Sequence, residues 1–236
     1  MRMLISLAGA ALLIAAPVAA RACGRAGAAH DPEAMHDHAM RAPREARPMS
    51  HAALADDPDS GVEMIGKPAP AWTFTRWIGP PLSLEGLRGK VVLVRWWNEG
   101  CYFCAATLPA IERLRIAHAA EGLVCVGVFH PKPPHEVKDA HVAALAKRLG
   151  FHGALALDRD WQTLDRYWLD GHPDRDWTSV SFLIDREGVV RWVHGGGEYH
   201  PSSDPAHARC DLQYADLERV LAKVLAEPAP GATGTR

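Results

Sequence analysis

Continuous apolar runs and helically spaced apolar positions alternate along the chain from residue 61 onward. The runs Val91–Trp97, Leu123–Phe129 and Ala154–Leu157 predict buried strands of a mostly parallel sheet, because such strands are covered on both faces. Between them, Cys101–Ala119 and Glu136–Leu149 carry apolar residues at the spacing of a helix face. This alternation predicts an α/β fold with right-handed crossovers.

The C-terminal third shows a different pattern. Ser181–Ile184 and Val189–His194 flank Asp185–Gly188, which is a hairpin signal and implies antiparallel strands at one side of the sheet. We therefore expect a central mixed β-sheet flanked by helices. The segment from His194 through three glycines to His200 is expected to be a surface loop. The remaining expected elements are a short strand at Trp72–Phe74, a short helix at Asp160–Trp168 and a final amphipathic helix at Asp211–Leu225.

Residues 1–22 are predicted to be an export signal. Arg2 precedes the apolar run Leu4–Ala20, and Ala20-Arg21-Ala22 fits the small-residue cleavage pattern. A membrane anchor is the alternative, since the run is barely long enough to span a bilayer. Cys23 stands at the position that a bacterial lipoprotein uses for its lipid, so a lipid anchor there is left open. We expect a periplasmic or otherwise exported protein, either free or anchored to the membrane.

Residues 23–60 are predicted to be a disordered linker, because they lack aromatic residues and cannot bury a core. Within it, Met35, His36, His38 and Met40 combine thioether and imidazole groups, which suit copper and especially Cu(I). A plain solvated linker is the favoured interpretation, and copper binding is the alternative. The globular domain is expected over residues 61–227, followed by a flexible tail at 228–236. The net charge of −2 gives no indication of a nucleic-acid partner.

The cysteines carry the candidate chemistry. Five cysteines are an odd and small number, which does not suit a disulfide scaffold. Cys101 and Cys104 form a C-x-x-C where a buried strand meets a helix, and the helix N-terminus there stabilises a thiolate. A C-x-x-C beside a βαβ pattern indicates a thioredoxin-like redox motif. Cys125, inside an apolar strand, is expected to be a buried and unreactive thiol.

Two other interpretations of the C-x-x-C are disfavoured. A structural zinc site needs four ligands, and no second C-x-x-C or histidine pair completes one. A purely structural disulfide would close a very short loop and would therefore stabilise the fold little.

The chain resembles the TlpA/ResA-like branch of the thioredoxin superfamily, which overlaps the redoxin, or AhpC/TSA-like, family that also contains peroxiredoxins. The resemblance implies reduction of disulfide-containing protein substrates on the periplasmic side, with electrons from a donor thiol protein. In that branch the activity sometimes serves cytochrome maturation or copper handling. The motifs that carry the resemblance are Val91–Trp97, Cys101–Cys104, Leu108–Pro109, Gly66–Pro70, Val126–Pro131 and Ser181–Gly188.

This sequence departs from the family pattern at two positions. Gly100 precedes the first cysteine where tryptophan is usual, and Trp97 lies four residues upstream of that cysteine. Ser179 takes the place of the usual cis-proline. A cis bond before a non-proline residue costs about 2.5–4 kcal/mol, so a trans peptide is expected at Ser179.

Two neighbours of the C-x-x-C are candidates for tuning it. Glu99 lies two residues before Cys101, where a carboxylate disfavours the thiolate unless solvent screens it. His130 ends the strand expected beside Val91–Trp97. The C-terminal ends of these two strands, with His130 and the C-x-x-C, would then lie at the same edge of the sheet. There it would assist proton transfer or complete a metal site, although an ordinary loop histidine is the favoured interpretation.

A peroxidase is disfavoured by the residues before the C-x-x-C. Peroxiredoxins carry a P-x-x-x-T-x-x-C arrangement, and here Val94 and Asn98 occupy the proline and threonine positions. The expected function is a dithiol reductase without a cofactor, in which Cys101 attacks and Cys104 resolves. The alternative is a copper-handling protein in which both cysteines, His130 and the linker hold Cu(I).

Overall fold

The computed structural model describes residues 60–229. The predicted signal at 1–22, Cys23 and nearly all of the linker lie outside the described residues, and so do residues 230–236. The copper candidates Met35, His36, His38 and Met40 are among them. None of the helices within the described range is long and apolar enough to cross a membrane.

A single six-stranded mixed sheet, with the order β1-β4-β3-β2-β5-β6, forms the centre of the described chain. The strands β2, β3 and β4 are parallel, whereas β1, β5 and β6 each run antiparallel to their neighbours. The predicted mixed sheet is therefore confirmed, and the parallel strands are the three apolar runs. The strands are β1 Arg76–Ile78, β2 Val91–Trp97, β3 Leu123–Phe129, β4 Ala154–Leu157, β5 Ser181–Ile184 and β6 Val190–His194.

Helices connect and cover these strands. Two of them begin at residues other than the predicted ones. The second long helix begins at Asp139 rather than Glu136, and the last begins at Ala208, directly after a 3-10 turn at Pro205–His207. The helices are α1 Tyr102–His118, α2 Asp139–Arg148, α3 Gln162–Leu164, which continues as a π-helical turn over Asp165–Leu169, and α4 Ala208–Ala226.

Strand β2 shows why the sheet is buried on both faces. All seven of its residues are buried, and the six apolar side chains alternate between two hydrophobic clusters, whereas Arg95 belongs to neither. Leu93 and Trp97 belong to the cluster that α1, α2 and α4 cover, whereas Val94 and Trp96 belong to the cluster under the α3 segment. A continuous apolar run is therefore what this position in the sheet requires.

Two sequence predictions about local structure are wrong. Trp72–Phe74 is not a strand: the edge strand β1 begins at Arg76, and the Trp72 and Phe74 rings pack 5.3 Å apart on the sheet instead. The expected surface loop after β6 is also largely buried, since Glu198 and Tyr199 are 3% and 0% exposed. It packs on the fold because Tyr199 donates its backbone N–H to Thr107 of α1 at 3.3 Å.

Candidate redox site

The junction between β2 and α1 places the two cysteines. Strand β2 ends at Trp97, and Gly100 adopts a φ of 77°, a left-handed conformation that favours glycine over the tryptophan usual in similar sequences. Cys101 is the N-cap of α1, and its Sγ accepts a hydrogen bond from the Cys104 N–H at 3.1 Å. Cys101 and Cys104 form a disulfide with their Cα atoms 5.3 Å apart. Cys101 is partly exposed, whereas Cys104 is fully buried.

Ser179 lies against both sulfur atoms. Its Oγ is 3.3 Å from Cys101 Sγ and 3.3 Å from Cys104 Sγ. Because the sulfurs are joined in a disulfide, the hydroxyl is the donor. Within residues 60–229 the one cis peptide is Lys132–Pro133, so the bond before Ser179 is trans, as expected. The residue at the cis-proline position of related sequences therefore offers a hydroxyl to the redox pair.

Glu99 lies in the loop before Cys101 and is paired. Both of its carboxylate oxygens lie 3.0 Å from His141 Nε2 on α2, and both side chains are about half exposed. Solvent screens the charge of this half-exposed carboxylate. The influence of Glu99 on the Cys101 thiolate stays a prediction.

His130 and Trp97 lie at the neighbouring strand ends, as the parallel pairing of β2 with β3 requires. His130 is fully buried, its Nε2 lies 3.4 Å from Asn98 Nδ2, and its ring packs against Trp161. Burial lowers the pKa of His130 to about 3, so its imidazole is neutral at neutral pH. Trp97 is also fully buried, with its ring 5.0 Å from that of Phe129. Their effect on the cysteines stays a prediction.

An aromatic rim, defined as Tyr102, Phe103 and Trp177, adjoins the cysteines. Tyr102 is 58% exposed, and the Phe103 ring lies 5.9 Å from both the Tyr102 ring and the Trp177 ring. Tyr102 and Phe103 are the two residues between the cysteines of the C-x-x-C. Their aromatic character was a signal of a contact surface, but only the fold brings Trp177 beside them.

Cys125 is 2% exposed, and burial raises the pKa of its thiol well above the usual range. The expectation of a buried, unreactive cysteine agrees with this environment. Within the described residues the reactive sulfur chemistry therefore centres on the Cys101–Cys104 disulfide.

A disulfide-forming C-x-x-C at the start of the helix that follows a central strand is the arrangement of the redox motif in the thioredoxin superfamily. The chain belongs to the AhpC/TSA family: the sequence model of that family matches residues 65–193, more than half of the 236 residues. The TlpA/ResA-like resemblance is confirmed by its relatives.

Two curated relatives illustrate the similarity. Protein DipZ of Mycobacterium bovis is 33% identical over 132 residues, which cover 54% of this chain and 18% of DipZ. Thiol-disulfide oxidoreductase ResA of Bacillus anthracis is 25% identical over 132 residues, which cover 56% of this chain and 70% of ResA. The chain therefore spans about a fifth of the length of DipZ.

Solved structures show the same fold. A Chlorobium tepidum protein assigned as the thiol:disulfide interchange protein DsbE has a TM-score of 0.53 and 23% identity, covering 69% of this chain and 98% of that one. A Bacteroides thetaiotaomicron protein assigned as a protein disulfide isomerase has a TM-score of 0.54 and 25% identity, covering 69% and 91%. The thioredoxin-like fold is thereby confirmed.

Proposed function

We propose that this protein is an exported reductase of protein disulfides, with Cys101 as the attacking and Cys104 as the resolving cysteine. The observation that carries the assignment is the asymmetry of the pair: Cys101 is partly exposed at the helix N-cap, and Cys104 is buried one turn deeper. A partner disulfide reaches only the first of them. The proposal of export is supported by residues 1–22 of the sequence, which form a signal-like segment.

The reaction is a thiol–disulfide exchange in two steps. In the reduced protein the Cys101 thiolate attacks one sulfur of the partner disulfide, and the other partner sulfur leaves as a thiolate. Cys104 then attacks Cys101 Sγ in the mixed disulfide and releases the second partner thiolate. The partner has gained two electrons and the protein has become the Cys101–Cys104 disulfide. A separate thiol protein must supply two electrons to regenerate the dithiol.

The local charges favour the reducing direction. A strongly oxidising pair needs a thiolate stabilised by additional positive charge. Residues 98–104 contain no lysine or arginine, and their one ionisable side chain besides the cysteines and Tyr102 is the carboxylate of Glu99. The helix N-terminus and the Ser179 hydroxyl remain as stabilising groups. We therefore propose a potential closer to that of thioredoxin than to that of DsbA.

The aromatic rim supports a protein substrate. Exposed aromatic side chains beside a reactive group are typical of surfaces that contact other proteins. The Tyr102 and Trp177 rings each lie 5.9 Å from the Phe103 ring. We propose that apolar residues flanking the partner's cysteine pack there while its sulfur meets Cys101.

Trapping and a redox titration test the proposal together. In a Cys104→Ala variant the mixed disulfide cannot be resolved, so disulfide-containing proteins should accumulate as reducible adducts on Cys101. Equilibration of the wild-type protein in glutathione buffers should give a potential in the thioredoxin range, near −270 mV.

Cys125→Ala is the matched control, because it removes a cysteine that is buried outside the pair. It should leave both the trapping and the potential unchanged. A potential near that of DsbA, about −120 mV, would contradict the reductase assignment. So would adducts that form equally well on a Cys101→Ala variant.

A further inference from the structure

Metal-binding side chains converge in the segment between β6 and α4, outside the redox pair. Glu198, His200 and His207 each offer one ligand atom, and these atoms lie within 4.8 Å of one another; Cys210 Sγ lies within the same distance but is disulfide-bonded. Glu198 Oε2 lies 4.0 Å from His200 Nε2, and Glu198 Oε1 lies 3.8 Å from His207 Nδ1. A carboxylate and two imidazoles therefore face a common point.

The carboxylate of Glu198 is buried, and its charged partners among the described residues are the two imidazoles at 3.8 and 4.0 Å. It is 3% exposed, and Cys210 Sγ lies 3.9 Å from its Oε1, but Cys210 is disulfide-bonded and its sulfur has no proton to donate. Burial raises the pKa of Glu198, while His200, His207 and Arg95 favour its charged form. Arg95 itself directs its hydrogen bonds to Ser181 Oγ and to the Gly197 carbonyl. None of the contacts of Glu198 within the described range is a close hydrogen bond, and a buried carboxylate is stabilised when it is paired or coordinates a metal ion.

Hydrogen bonds hold the segment in the shape that brings the ligands together. The His200 backbone N–H donates to the Cys210 carbonyl at 3.4 Å, and the Ser202 N–H donates to Asp211 Oδ1 at 3.0 Å. Asp204 caps the 3-10 turn that ends at His207 by accepting from the Ala206 N–H at 2.9 Å. The two imidazole rings lie 5.0 Å apart as a result. The ligand set is therefore organised by the backbone before any ion binds.

We propose that Glu198, His200 and His207 bind a divalent transition-metal ion of the zinc type. Two imidazoles and one carboxylate are a ligand set that zinc uses, with bonds of about 2.0–2.2 Å. Tetrahedral bonds of that length place neighbouring ligand atoms roughly 3.3 Å apart. The observed 3.8 and 4.0 Å therefore need only a small closure of side chains that are already adjacent. The site is independent of the proposed disulfide exchange.

Titration of the full-length protein with zinc chloride, after treatment with a chelator, tests the site. The Cys101–Cys104 disulfide is kept oxidised so that neither sulfur can act as a ligand. The wild-type protein should bind one more equivalent of Zn²⁺ than a His200→Ala/His207→Ala variant, whatever the residues outside the described range contribute. Glu198→Gln should lower the affinity for that equivalent of Zn²⁺ by about tenfold or more, since even mutations of residues that only support the ligands lower metal affinity by about 10–100-fold.

His118→Ala is the control, because it removes a histidine that lies 2.7 Å from a carboxylate, Glu121, elsewhere on the surface. It should bind zinc as the wild type does. Zinc should also raise the Tm of the wild type and of this control. The increase in Tm should be smaller for His207→Gln, a milder substitution than the double variant. Equal zinc stoichiometry and equal Tm increases in all variants would overturn the proposal. A loss of zinc binding in His118→Ala as large as that in the His200→Ala/His207→Ala variant would also overturn it.

Discussion

Removing the hydroxyl of Ser179 should destabilise the thiolate form of Cys101. In the oxidised protein this hydroxyl lies 3.3 Å from each sulfur and is 6% exposed, so water replaces it poorly when it is removed. After reduction it can donate to the thiolate, and hydrogen bonds to charged groups contribute about 1.5–3 kcal/mol. Taking the lower figure, Ser179→Ala should shift the thiol pKa of Cys101 upward by about one unit, since one unit is about 1.4 kcal/mol.

The same loss should make the protein a stronger reductant. The reduced form is destabilised relative to the disulfide, and about 1.4 kcal/mol corresponds to about 30 mV for this two-electron couple. The full change appears only at a pH where Cys101 is a thiolate, and it shrinks at lower pH. The assays are the pH dependence of Cys101 alkylation and the potential in glutathione buffers.

Two variants control the Ser179 measurement. Ser179→Thr keeps a hydroxyl and should behave as the wild type. Ser181→Ala removes a buried hydroxyl that contacts Tyr199 at 2.8 Å and Arg95 at 3.3 Å, and for which no contact with the redox pair is seen. If Ser179→Ala leaves both the alkylation profile and the potential unchanged in a folded protein, the hydroxyl does not stabilise the thiolate.

Three further outcomes are expected. Glu99→Gln should lower the thiol pKa of Cys101 by less than about half a unit, because this carboxylate is exposed and paired. A larger shift in the pH dependence of alkylation would show that solvent does not screen it. Alkylation of the native, reduced protein should label Cys101 first and Cys125 hardly at all, because Cys125 is buried; mass spectrometry showing equal labelling would contradict this. Deleting residues 30–51 should leave the Tm and the reductase activity unchanged, and it should lower Cu(I) binding if the linker holds copper; a large fall in Tm on deletion would contradict the disordered linker.

The sequence by itself determined five of the six strands and the redox pair, because these depend on local patterns, whereas it misplaced the edge strand β1. A strand buried on both faces needs a continuous apolar run, and the predicted bounds of β2, β3 and β4 match the structure at both ends. The position of Cys101 at a helix N-cap follows from the same local order of strand, glycine and helix. The thioredoxin-like fold could therefore be predicted before any contact was known.

Only the tertiary structure decided what surrounds the redox pair. Ser179 is 78 residues from Cys101 in sequence, and its contact with both sulfurs arises because β5 pairs antiparallel with β2. Trp177 joins the aromatic rim for the same reason. The segment around Glu198 contains glycines, a proline and polar residues typical of a surface loop, yet it is held against α1 and α4 by contacts distant in sequence. Burial and convergence of side chains depend on how elements pack, and periodicity within one element carries no information about that packing.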